Sequence, residues 1–300
     1  MSEDIDINKD IEKEINTLIK TDVSNTKKIL VLSGGGMRGI ALHGVLKALH
    51  DLKILENIEI FSCASVGALV VSLYIIGYNI NEIEEFYQIF DYSNLTTISD
   101  YTLDNINDLI KYYGIDNGKN VTKVIAKLLE GKNLNENITL LELYKITHKK
   151  FIVTGTCLET HSVEYISHET YPNMKFIDAL KITSAVPLYY QPIKYNDKTY
   201  VDGGCIDNYP IILFQDRLEE VIGVYLHGKY KDIKINNIKD YIFTVMESLN
   251  LSFVSNIVRG WEKVTINLYI DYVLLDFNMS LEEKKKLFDI GYKETLKFFK

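Results

Sequence analysis

Cysteine is scarce in this chain: three in 300 residues, Cys63, Cys157 and Cys205. An odd number at wide spacing makes neither a disulfide framework nor a zinc-ligand pattern, so a reducing compartment is expected. Excess positive charge is also missing. Asp and Glu number 41 against 33 Lys and Arg, a net charge of −8. That balance argues against nucleic acid as a main partner, because phosphate binding needs a basic surface. It also gives no global attraction to anionic membranes. No hydrophobic run is long enough to cross a bilayer. The longest, around GALVVSLYIIGY, falls short of the ~20 residues required. The first residues, MSEDIDINKDIEKEINTLIK, lack the basic and apolar regions of a secretory signal. Internal repeats, low-complexity blocks and Pro- or Ser-rich linkers are absent. A cytoplasmic protein is expected, with membrane contact no more than peripheral.

The composition is that of a globular protein, 47% hydrophobic and 25% charged. Ile5, Ile7, Ile11, Ile15 and Ile19 recur at roughly helical spacing and predict an amphipathic N-terminal helix. KKILVL then reads as a strand running into glycines, and MRGIALHGVLKALHDL as a helix. IEIFSC is a second strand and SVGALVVSLYIIGYN a second helix, with Gly77 near its end. This strand–helix alternation predicts a parallel sheet in an α/β fold. Residues 81–150 show helical patterns and no convincing strand, so they read as a helical insertion. Strand character returns in KFIVTGTCLE, SVEYIS, KTYVDGG and EEVIGVYLHG. MKFIDALKITSAVP reads as a helix closed by Pro187. Helical patterns also cover 238–261 and 280–299, the latter opened by a capping box, Ser280 with Glu283. The chain divides into an N-terminal extension (1–26), an α/β domain (27–224) and a strand with helices packed on the same domain (225–300).

Three short stretches carry chemistry. SGGGMRG, Ser33 to Gly39, follows a strand and precedes a helix, a place where backbone amides converge on an anion. Gly34, Gly36 and Gly39 spell a dinucleotide fingerprint, but that motif expects an acid at the end of the next strand. Here that strand ends Ser62–Cys63–Ala64–Ser65, and Glu59 sits at its start. A P-loop is excluded, since Ile40 and Ala41 follow Gly39. An oxyanion hole and a simple tight turn both remain. In CASVG, Ser65 is either a nucleophile at a strand-to-helix elbow or an ordinary helix N-cap. In VDGG, Asp202 is either a carboxylate delivered to a site or part of a surface Asp-Gly turn. A nucleophilic serine needs a base. His43 and His50 precede Ser65, His161 and His168 come before any good acid candidate, and His227 lies in an apolar strand. A Ser–acid–His order is therefore poorly supported. Asp202 is the alternative, and its ordinary pKa of about 3.9 would rise if it were buried in an apolar cleft.

In this order LSGGGMRG, CASVG and VDGG, with KITSAVPLYYQPI before the last, resemble the patatin-like phospholipases over roughly residues 28–212. The resemblance implies a three-layer α/β/α fold with a mostly parallel sheet and additional helices. It further implies a serine acyl hydrolase acting on glycerolipid esters through a Ser–Asp dyad, without metal or other cofactor. Ser65 would be the nucleophile and Asp202 the base. Gly34, Gly35, Gly36 and Arg38 would shape the oxyanion hole, Cys63 and Gly67 would support the elbow, and Gly203 and Gly204 the acid turn. Cys63 stands where the family usually has its first elbow glycine. The substrate partner would be a membrane glycerolipid or phospholipid. Two other classes stay open: a catalytically silent member that binds lipid or protein, and a dinucleotide-binding protein using the glycine loop. Tyr189 and Tyr190 fit either a cleft border or ordinary packing. The stripe Ile242, Val245, Met246, Leu249, Phe253 and Ile257 is expected to be core, and Lys284–Lys286 a solvated helix face.

Overall fold

The computed structural model describes residues 26–98, 103–228, 260–272 and 274–300, with isolated positions 235, 241, 244, 245 and 248. The helix expected over 5–19 lies outside the described residues, as do most residues of the one expected over 238–261; Val245, a member of the stripe expected as core, is described and 41% exposed.

The chain opens with β1 (Ile29–Leu32), whose four residues are all completely buried. A strand covered on both faces reads as a continuous apolar run, the mark of a parallel sheet interior. A glycine turn leads to α1 (Ile40–Asp51), then β2 (Ile60–Cys63), α2 (Val66–Ile75) and α3 (Ile80–Ile89). Gly77, at φ 103°, ends α2 in the conformation that suits glycine. The expected helical insertion contains α4 (Leu103–Tyr112), α5 (Lys119–Glu130) and α6 (Leu140–Thr147). It also contains a strand that its polar composition hid, β3 (Gly114–Asp116). β4 (Lys150–Cys157), β5 (Ser162–Ile166) and α7 (Phe176–Thr183) follow, then β6 (Leu188–Tyr190), β7 (Ile193–Tyr195) and β8 (Lys198–Asp202). The chain ends with β9 (Val221–Gly228), β10 (Thr265–Ile270) and α8 (Leu281–Phe298). Ser280 and Glu283 form the expected capping box of α8.

The main sheet runs in the order β10-β9-β1-β2-β4-β8-β7, with β5 paired to β4. From β10 to β4 every pairing is parallel, and β5, β7 and β8 join antiparallel. β3 pairs with β6 apart from this sheet. Side chains of β1 alternate between two cores, as the strand period of two requires. Leu30 and Leu32 pack with α1 and α2, while Ile29 and Val31 meet Tyr209, Ile211 and Phe214 on the other face. The fold is therefore mixed α/β with a mostly parallel central sheet. β1 lies between β2 and β9, so the strand order reverses there. Open α/β sheets bind ligands at the carboxyl ends of strands around such a reversal.

Lys284 corrects one expectation. It is buried, 6% exposed, and donates from Nζ to the carbonyl of Phe90 at 2.6 Å. This puts a cation at the carboxyl end of α3, where unpaired carbonyls carry partial negative charge. Lys285 and Lys286 face solvent. No helix among the described residues is long and apolar enough to cross a membrane.

α1 and α8 pack backbone to backbone. A Cβ at Gly291 would stand 1.9 Å from the Ala41 carbonyl oxygen, and one at Gly44 would stand 2.0 Å from that of Phe288. Neither helix yields without separating from the other. Gly291→Ala is expected to lower stability by about 1–3 kcal/mol, seen as a lower urea midpoint with an unchanged m value.

Candidate active site

Two loops at the carboxyl ends of parallel strands build the first half of the site. Registration of Leu32 with Cys63 brings β1 and β2 to the same level, so the glycine loop and Ser65 emerge side by side. Ser65 has φ 48° and ψ −124°, in the left-handed half of backbone space that side chains avoid. Its amide donates to Thr183 Oγ1 at 3.0 Å, and its carbonyl accepts from the Ala68 and Leu69 amides. These bonds hold the strained turn. Gly67 is required by space, since a Cβ there would lie 2.8 Å from the Ser33 carbonyl oxygen and 2.9 Å from that of Leu32. Cys63 ends β2 fully buried in the main core, where its side chain packs as a small apolar group. Burial pushes its thiol pKa up, away from reactivity.

Ser65 begins α2 without capping it, because its side chain makes no hydrogen bond to the helix amides. Instead Ser65 Oγ donates to Asp202 Oδ2 at 2.6 Å. Asp202 is the last residue of β8 and 5% exposed, so it is not a surface turn. Its other oxygen, Oδ1, accepts from the Gly204 amide at 2.7 Å, in the tight turn made by Gly203 and Gly204. The backbone beneath is pinned as well: the Asp202 amide donates to Ala185, and Thr156 Oγ1 donates to the Asp202 carbonyl at 2.9 Å. Burial raises the Asp202 pKa to about 6, opposed by the hydrogen bonds from Ser65 and Gly204.

Not every residue of the glycine loop is free to bind an anion. The Gly34 amide donates to the Asn208 carbonyl at 3.2 Å, which ties this loop to the one after Asp202. The amides of Gly35, Gly36 and Val66 have no partner among the described residues. Arg38 is buried, with Nε donating to the Tyr272 carbonyl at 2.9 Å, and its amide bonds to Gly35. It braces the loop and is absent from the side chains that line the adjoining pocket.

That pocket holds about 960 Å³ of space, part of it open to solvent, and Ser65, Gly36 and Val66 lie on its wall. The remaining wall is almost wholly apolar, with Met37, Leu69, Leu73, Phe86, Phe90, Leu275 and Phe277 among its residues. Ligand sites have this character: apolar walls with a few convergent polar groups. Tyr190 lines the pocket, whereas Tyr189 is packed against Leu275 and Phe277. His227 bonds Asn267 and stacks on Tyr269, as a strand histidine with structural partners. Glu59 pairs with Lys28 at the amino ends of β1 and β2, the opposite end from the glycine loop. It cannot serve there as the acid of a dinucleotide fingerprint.

Thr183, Thr156, Asn208 and the Val66 amide were not legible as site residues beforehand. Thr183 lies 118 residues from Ser65, and Asn208 lies 174 from Gly34. Such contacts leave no spacing signal in the chain. Thr183 falls in the KITSAVP stretch, and that neighbourhood was the one available pointer.

A family model described as patatin-like phospholipase matches residues 30–214. A protein of Invertebrate iridescent virus 6 described as a probable lipid hydrolase, 463L, is 32% identical over 88% of this chain and 86% of its own length. The uncharacterised protein R571 of Acanthamoeba polyphaga mimivirus is 30% identical over 89% of this chain and 92% of its own. The fold is also that of VipD from Legionella pneumophila, with a TM-score of 0.59 at 19% identity, covering 91% of this chain and 67% of VipD. By its family-model match over more than half its length, and by its identity to these viral relatives, the chain belongs to the patatin-like phospholipase family.

Proposed function

We propose that this protein is a lipid acyl hydrolase that cleaves fatty-acyl esters of glycerolipids with Ser65 as nucleophile and Asp202 as its base. The observation that carries this reading is the 2.6 Å hydrogen bond from Ser65 Oγ to Asp202, on the edge of an apolar pocket able to take an acyl chain. Family membership and a relative described as a probable lipid hydrolase point the same way.

In the proposed reaction the ester carbonyl sits over Ser65 with its oxygen facing the free amides of Gly35 and Gly36. Asp202 takes the Ser65 proton as Oγ forms its bond to the carbonyl carbon. The amides stabilise the negative charge that develops on the carbonyl oxygen, and in a dry site such fixed dipoles act strongly. Collapse of the intermediate breaks the ester bond, and Asp202 returns the proton to the departing alcohol. Water then attacks the acyl-enzyme, losing its proton to Asp202, and the fatty acid leaves as Ser65 is regenerated. A carboxylate raised to about 6 is a better base at neutral pH than an ordinary aspartate and is still ionised there. Exposed Ile206, Ile212 and Leu213 follow the Asp202 turn and offer apolar surface for peripheral contact with lipid.

Ser65→Ala is expected to keep the fold, by circular dichroism, while hydrolysis of phospholipid and triacylglycerol esters falls by more than about 10³-fold. Labelling by a serine-reactive fluorophosphonate should vanish with it. Retained turnover in this variant would end the assignment.

Asp202 must be ionised to accept the proton, so kcat/KM of the wild type should fall as pH drops through about 6. Stability has the opposite sign. The native pKa lies above the unfolded value of about 3.9, so the group's contribution is full below about 3.9 and lost as pH rises through about 6. Asp202→Asn should therefore abolish hydrolysis yet raise stability at pH 8, by up to about 3 kcal/mol, with no such gain at pH 4. Chemical denaturation at the two pH values measures this directly.

A further inference from the structure

Ser65 and Asp202 lie 137 residues apart, yet both are hydrogen-bonded to one short stretch of chain between them. Thr183 is the last residue of α7 and is fully buried. Its Oγ1 accepts from the Ser65 amide at 3.0 Å. Two residues on, the Ala185 carbonyl accepts from the Asp202 amide at 2.8 Å. Cα atoms two residues apart lie no more than about 7 Å from each other. The stretch 183–185 therefore ties the backbone of the serine to that of the aspartate by a route that does not run through the sheet.

The stretch itself has little freedom. The Ala185 amide donates to the Ile182 carbonyl at 3.3 Å, and the Val186 amide to the Ser184 carbonyl at 2.9 Å. Ser184 Oγ donates to the Leu180 carbonyl at 2.7 Å, which binds the turn back onto α7. Ile182 seats against Gly155 of β4, where a Cβ would lie 2.7 Å from Ile182 Cγ2, and Gly155 is the residue in register with Asp202.

Of the two contacts, only the one to Ser65 is made by a side chain. Ala185 uses its backbone, which any residue supplies. Thr183 uses a hydroxyl oxygen. Ser65 depends on that oxygen, because a positive φ is not a conformation that serine holds by itself. Without the acceptor, a buried amide is left unpaired. The turn is then free to relax toward an ordinary helix start, in which the serine side chain caps α2 and leaves Asp202.

We propose that Thr183 is a positioning residue: its hydroxyl, carried on the same stretch that holds Asp202, keeps the Ser65 turn strained and so keeps Oγ within reach of the carboxylate. The inference rests on Ser65 and Asp202 being nucleophile and base, and adds the group that sets their separation. Thr183 is absent from the pocket wall and acts through Ser65 alone.

Thr183→Val keeps the shape and removes the acceptor, whereas Thr183→Ser keeps the acceptor and removes a methyl. Phospholipid hydrolysis and fluorophosphonate labelling are measured on both, with circular dichroism to follow the fold. In Thr183→Val kcat should fall about 10²-fold, the cost of a misplacement near 1 Å, with KM within about twofold of the wild type. Labelling should slow by a similar factor, and Thr183→Ser should recover most of the loss. The pH profile separates positioning from loss of structure. Burial raises the Asp202 pKa to about 6, and the Ser65 hydrogen bond opposes that rise. Loosening the bond should move the acid limb of kcat/KM upward in Thr183→Val. Cys205 beside Asp202 stays neutral through this range, since burial pushes its thiol up to about 12. A smaller folded fraction would lower the rate and leave the midpoint in place.

Wild-type kcat in Thr183→Val, an unmoved midpoint, or equal damage in Thr183→Ser would each overturn the inference, the last by making the methyl responsible. Should Thr183→Val not fold, Thr183→Cys, whose sulfur is a weak acceptor, is held to the same outcomes. Ser65→Ala is carried alongside. Turnover lost in Ser65→Ala but kept in Thr183→Val would remove the positioning role and leave the dyad. A wild type that neither turns over nor labels would remove both.

Discussion

The bond from Ser65 Oγ to Asp202 joins two loops 137 residues apart, and its 2.6 Å length sets the tolerance for everything around it. Neither residue has freedom to search for the other. Ser65 stands at the carboxyl end of β2, in a turn held by Thr183 and Leu32. Asp202 stands at the end of β8, pinned by Ala185, Thr156 and Gly204. β4 is the strand between them, paired in parallel to β2 and antiparallel to β8. β8 runs against β4 and stops at the level of Gly155, so its register, and not its direction, leaves its last residue near the edge where β2 ends. Gly155 of β4 registers with Asp202, while Cys63 registers with Val153, so the two termini fall within a few residues of one level.

The site carries unfavourable terms that the rest of the fold must offset. A positive φ at Ser65 and a carboxylate 95% removed from solvent both oppose folding. They persist because the parallel core on either side is continuous and apolar, from fully buried β1 outward through β2 and β9. The same burial gives Asp202 its raised pKa, so one physical cause produces the loss in stability and the gain in basicity. Asn208 couples the two halves more directly. Its carbonyl takes the Gly34 amide, and its side chain lies in contact distance of both Gly34 and Gly204.

Much of this was legible in the chain. β1 and β2 announced themselves as apolar runs ending in small residues, because strands buried on both faces need no polar alternation. The capping box at Ser280 and the glycine after α2 marked helix ends through local hydrogen bonding alone. Other features were hidden. β3 is three residues of mixed polarity, too short to show a period, and it is a strand only because β6 lies beside it. Lys284 sits in a run of three lysines that a helical wheel puts in solvent, yet the end of α3 packs over it and its carbonyls accept hydrogen bonds from its Nζ. Arg38 and Gly34 were expected to shape an anion-binding glycine loop. Which of their donors were already engaged depended on Tyr272 and Asn208, far away in sequence.

The amino-acid sequence alone determined the local facts: which stretches are strands, where glycine opens a loop, and that a serine, an aspartate and a glycine cluster occur in an order typical of one family. Periodicity, chain stiffness and hydrogen bonds between near neighbours suffice for these. Only the tertiary structure decided that Ser65 faces Asp202 and not its own helix, and that the Asp202 carboxyl is buried. Those outcomes depend on burial and on the meeting of distant segments. Both are fixed by how the strands pair and the helices cover them, and no window of neighbouring residues contains that information.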